Sequence, residues 1–137
     1  MQVIIIDALV NILSGIKLNK IADKEVKITL VKEYLQLKKL VQKAKETKQE
    51  LETKFRTDWG EEFLTVSALR NQNVSLEGHE KFLEAEADTV QMINDAFLED
   101  VEVSITPVEL DTFIAAVGEE SLTLETIAFL QENGVIS

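Results

Sequence analysis

The chain has 137 residues, 45% of them hydrophobic and 28% charged, enough to bury one core, and it is read as a single domain, residues 1–137. It holds no cysteine, which excludes disulfides, thiolate metal sites and thiol nucleophiles; one proline and five glycines favour long helices over a loop-rich or β-sandwich fold. The net charge of −11 is unevenly laid out: residues 1–56 carry a net +5 and residues 57–137 a net −16.

The opening residues 2–6 are mostly apolar and β-branched, so a short strand start is open to them. A first helix is expected over about residues 5–14, punctuated by Ser14-Gly15. This apolar run carries Asp7 and Asn11 and lacks a basic leader, and it is too short to span a membrane. The expectation is a soluble, cytoplasmic protein.

From Ile16 to Trp59 there is neither glycine nor proline. Leu30, Tyr34, Leu37, Val41, Ala44, Leu51 and Phe55 recur at spacings of three and four, interrupted only by Lys48, which is a coiled-coil type of seam. Ile28, Val31, Leu35 and Leu40 widen the apolar face of the first half. One long central helix is predicted over about residues 20–57. At ~1.5 Å per residue it would be ~57 Å long, so its far end should protrude or meet another chain.

Asp58-Trp59-Gly60-Glu61 reads as a break and restart, followed by a short helix over about residues 60–70. Ser75 is a candidate cap for a fourth helix, about residues 76–99, with Leu76, Phe82, Leu83, Val90, Ile93 and Phe97 facing inward. This helix is strongly acidic and could lie beside the lysines of the long helix. Residues 101–105 alternate apolar and polar, as in a short strand. Thr106-Pro107-Val108-Glu109 has the form of a capping box, so a helix is expected from there to about Val117, with Gly118 as its stop. Thr123 should cap a last helix over about residues 124–132, with Leu124, Ile127 and Leu130 facing the preceding helix. The predicted fold is mainly α: five or six helices, a long central one, and at most a short two-stranded β element. Within one domain, it divides into a helical arm (about 20–57) and an acidic helical part (about 60–137).

Candidate chemistry is sparse. His79, the single histidine, has no nucleophile in its local pattern and is read as a surface or boundary residue. Glu80, Glu84 and Asp88 share one helix face, which suits a solvated surface better than a metal site, because no Glu-x-x-His pair accompanies them. Residues 38–48 hold five lysines but no aromatic or arginine, and the overall charge opposes nucleic acid, so no direct nucleic-acid contact is expected. No Gly-rich phosphate loop, serine elbow or metal-ligand spacing is present, and neither enzyme activity nor a cofactor is expected. Trp59 is either an interface residue or a filler between helices.

The apolar stretch Ala8-Leu9-Val10-Asn11-Ile12-Leu13, the Lys-rich long helix and the acidic run Phe97-Leu98-Glu99-Asp100-Val101-Glu102-Val103 follow one another in this order. In this layout the chain resembles small uncharacterised helical proteins encoded by phages and prophages. The resemblance implies a phage or mobile-element origin, a place in the cytoplasm or the virion, and no active site. Two functions are expected from this reading. One is a structural or assembly protein, oligomeric or bound to a protein partner, with Ala44, Leu51, Phe55 and Trp59 as interface candidates. The other is an acidic inhibitor that sets the Glu80, Glu84 and Asp88 face into the basic groove of a nucleic-acid-binding protein.

Overall fold

The computed structural model describes residues 1–118 and 122–137. It contains five α-helices among the described residues: α1 (Val3–Gly15), α2 (Lys24–Asn71), α3 (Glu80–Leu98), α4 (Leu110–Val117) and α5 (Leu124–Glu132), with a 3-10 turn at Leu18–Lys20. There is no sheet among the described residues; two isolated bridges, Gln2 with Asp100 and Val108 with Ile136, are the only β pairing there. The mainly α fold with one long helix is therefore as expected. The chain forms two compact units, Met1–Gln42 with Asp100–Ser137, and Lys43–Glu99, so the division falls inside α2.

In the first unit, α1 starts at Val3 rather than with a strand. Val3, Ile6, Leu9, Val10 and Leu13 are buried, and their three-to-four spacing fits one helix face, which overrides the strand preference of the β-branched start. α2 begins at Lys24 because Asp23 caps it: its Oδ1 accepts from Glu25 N–H at 3.1 Å and Val26 N–H at 3.2 Å. The helix buries Val26, Leu30, Glu33, Leu37 and Val41. Ile28 and Leu35, expected to widen that face, are 43% and 58% exposed. They lie on the opposite side of the helix, since α2 turns by about 100° per residue.

The capping box predicted at Thr106 does not form. α4 starts four residues later, at Leu110, with Glu109 at the cap position. The reason is tertiary: Thr106 N–H donates to Glu33 Oε1 at 2.8 Å, and Val108 N–H donates to Val135 C=O at 2.9 Å. The box would give the Thr106 N–H to Glu109, and Glu33 takes it instead; the Val108 C=O, which a helix opening at residue 107 would give to residue 112, accepts from Ser137 N–H at 2.9 Å. The strand predicted over residues 101–105 is also absent as a paired strand. Gly118 ends α4 with φ of 88°, a conformation that favours glycine. Thr123 caps α5 through Thr126 N–H at 3.1 Å, as expected. Phe113 and Leu130 are fully buried, whereas Leu124, expected to face α4, is 85% exposed.

In the second unit, α2 is interrupted at Gly60, whose φ of 42° and ψ of −113° are not helical. The break expected at residues 58–61 is thus a kink on Gly60 alone. α3 starts at Glu80, not at residue 76. The Ser75 hydroxyl accepts from Glu77 N–H at 3.2 Å in the preceding turn, and Gly78 takes φ of 91° ahead of the helix. Phe55, Val66 and Phe82 form the buried core of this unit, with Trp59, Phe63, Leu76, Leu83 and Ala85 packed against it. Val90, expected inward, is 49% exposed. Phe55 and Val66, in the far part of the long helix, are thus covered by the chain's own side chains, whereas Leu64 there is 67% exposed.

Candidate functional site

The chemistry with the strongest physical signature lies in the first unit, at Glu33. The buried stripe of α2 places residue 33 between Leu30 and Leu37, so a carboxylate occupies a position that the helix assigns to its core face. Glu33 is 4% exposed. Its Oε1 accepts the Thr106 N–H bond, and its Oε2 is buried with no hydrogen-bond partner among the described residues. Burial pushes the carboxyl up to about 7, against the downward pull of the Thr106 bond. Such a group changes charge near neutrality, where acid–base chemistry needs it.

Two grooves meet beside it. One of about 240 Å³ is lined by Ile28, Thr29, Lys32, Glu33, Gln36, Ser104 and Thr106. The other, of about 810 Å³, is lined by Met1, Gln36 and residues 100–104. Gln36 and Ser104 belong to both, so the grooves follow the extended run of residues 100–106. Glu33 is the only carboxylate in the smaller groove, and no histidine joins it among the described residues. Nor do these residues contain any cluster of three or more potential metal ligands.

The residues singled out from sequence lie in the second unit. Phe55 is buried, with its ring centroid 5.1 Å from that of Phe82 and 6.1 Å from that of Phe63. Trp59 is half-buried and meets Phe82 edge-on, with centroids 5.5 Å apart. It fills the corner between helices, the second of the two roles expected for it. Ala44 is buried and Leu51 half-buried. None of the four is among the exposed large side chains.

The acidic face is divided by its partners. Glu80 Oε1 accepts from Gly78 N–H at 3.0 Å, which holds its carboxyl below the usual range and ties it to its own helix start. Glu84 and Asp88 are exposed. Glu86, on the opposite side of α3, takes both guanidinium nitrogens of Arg70 at 2.8 and 2.6 Å, a bidentate pair that lowers its pKa. His79 Nδ1 lies 2.9 Å from Glu62 Oε1, joining the turn before α3 to the helix after Gly60. This matches a boundary histidine.

Glu33 and the 100–106 groove were missed from sequence, though a signal existed: an acid standing at core spacing between Leu30 and Leu37. No helix among the described residues is long and apolar enough to cross a membrane. No protein-family model matches the chain, and no match was found among curated proteins or solved structures.

Proposed function

We propose that this chain is a non-enzymatic helical assembly protein that packs with a second copy or a protein partner. The observation that supports this is the second apolar stripe on α2. Ile28 and Leu35 stand seven residues apart and exposed, with half-buried Val31 between them, on the side of the helix away from its core stripe. An apolar stripe at this spacing is the form a helix takes when it packs on another helix. A phage or mobile-element origin, implied by the resemblance above, belongs to the same reading, with cytoplasm or virion as its place. Light scattering at low and high salt tests it. A defined oligomer that survives high salt and dissociates in Leu35→Lys, with unchanged helix content, is expected. A monomer at both salts removes self-association and leaves only the heterologous partner.

A second reading, the acidic inhibitor, draws on exposed Glu84 and Asp88. Glu80 is tied to its helix start, so Glu84→Gln with Asp88→Asn is the cleaner test. Binding to a basic groove should fall with that pair and with added salt.

A further inference from the structure

Residues 101–105 run without turn or bend, and part of one edge carries backbone groups unpaired among the described residues. Burial alternates along it: Val101, Val103 and Ile105 are half-buried, whereas Glu102 and Ser104 are exposed. In extended backbone, alternate residues direct their N–H and C=O groups to opposite edges. Val101 shows what its edge meets. Its N–H donates to Met1 C=O at 2.9 Å, and its C=O accepts from the Met1 ammonium at 3.0 Å. This reciprocal exchange is the hydrogen-bonded pair of an antiparallel ladder, and Gln2 with Asp100 is the bridge beside it. The next two residues on the same edge, Val103 and Ile105, have no hydrogen-bond partner for N–H or C=O among the described residues. The opposite edge carries Thr106 N–H, which Glu33 holds.

The larger groove, about 810 Å³, is lined by Met1, Gln36 and residues 100–104, and so lies beside the unpaired part of this run. Its charge is acidic. The side chain of Asp100 is 81% exposed, Glu102 is exposed, and the Met1 ammonium lies 3.6 Å from Asp100.

We propose that residues 101–105 are a docking edge for an extended basic peptide segment of a partner protein. The peptide pairs antiparallel with Val103 and Ile105 and sets its cationic side chains toward Asp100 and Glu102. Its residues opposite Val103 and Ile105 are apolar, because they share the inward face, and those opposite Glu102 and Ser104 are Lys or Arg. The backbone bonds give affinity in any sequence, and the charge alternation selects among partners. The edge offers backbone groups and the Ile28–Leu35 stripe offers side chains; Ile28 lines the smaller groove that adjoins the run, and Val103→Pro and Leu35→Lys test the two separately.

The test is fluorescence anisotropy of the full chain with a labelled peptide of alternating Lys and Val. Binding roughly tenfold tighter than that of the matching Glu and Val peptide is expected. Methylating the valine amides should abolish it, whereas methylating the lysine amides should not, because only the valine N–H groups face the edge. Val103→Pro removes one edge donor and should cost roughly tenfold with helix content unchanged. Asp100→Asn with Glu102→Gln leaves the buried structure intact and should lower both affinity and salt dependence, a readout that stands even if the proline variant misfolds. Equal binding of the two peptides, indifference to valine methylation, or an unaffected double variant would each overturn the proposal. A drop in solution mass in Val103→Pro without any peptide binding would also overturn it, by assigning the edge to a second copy.

Discussion

The unit formed by Met1–Gln42 and Asp100–Ser137 buries sixteen hydrophobic residues among those described, nearly all aliphatic, from α1, α2, α4, α5, the segments before α2 and α4, and the chain's last residues. The unit Lys43–Glu99 buries four, Ala44, Phe55, Val66 and Phe82, and relies on ring contacts among Phe55, Trp59, Phe63 and Phe82. The first has depth, and loss of one side chain leaves many others. The second concentrates its apolar contacts on two phenylalanines, Phe55 and Phe82, supplemented by the Arg70–Glu86 and His79–Glu62 pairs at its surface. Local stability follows buried apolar contact, so the second unit should open at lower free energy than the first.

The largest expected effect breaks that comparison at its narrowest point. Phe82→Ala should cost about 3–5 kcal/mol and speed amide hydrogen exchange through residues 43–99, with residues 1–42 and 100–137 still protected. Leu9→Ala, a loss of about 2–5 kcal/mol, should do the reverse. If either variant loosened both units alike, the chain would be one cooperative body and the contrast would fall.

Glu33 sharpens the comparison from the other side, because the better-packed unit contains the costlier group. In the unfolded chain its carboxyl ionises near the ordinary ~4.3, and in the fold near 7. The protonated form is thus favoured by folding. Its contribution is complete below the unfolded value and is lost as pH rises through about 7. Glu33→Gln keeps an acceptor for Thr106 N–H and cannot ionise. It should therefore gain on the natural chain by about 1–3 kcal/mol between pH 4 and pH 8, read by denaturant unfolding. A gain independent of pH would show that ionisation of Glu33 is not its source.

The smallest effect belongs to the surface of the second unit. Arg70 and Glu86 are partly exposed, so Arg70→Ala should cost about 0.2–1 kcal/mol in spite of the bidentate geometry, and less in high salt. A cost near that of Phe82→Ala would mean that polar pairing, not the ring cluster, holds this unit.

Much of the fold was legible because its cues are local. The seam Leu30, Leu37, Val41, Ala44 and Phe55 is buried as its spacing implied, and Gly60, Gly118 and Thr123 mark a kink, a stop and a cap near their expected places. The candidate site was less legible. Ala44 and Phe55 were chosen for an apolar spacing that serves an interface and a core equally well, and only contacts distinguish the two. The capping box at residues 106–109 contained all its residues and still lost, because Glu33, 73 positions away, holds the Thr106 N–H.

The sequence by itself determined that this chain is helical, where most of its helices stop, and that its halves differ in charge, since periodicity, caps and composition act over a few residues. The tertiary structure alone decided which of two apolar stripes on α2 is covered. It also decided that Glu33 is buried with an oxygen unpaired among the described residues, and that residues 101–105 run beside a groove with backbone groups unpaired among those residues. Each of these depends on which distant segment arrives to take a backbone group or exclude water, and local pattern does not encode that.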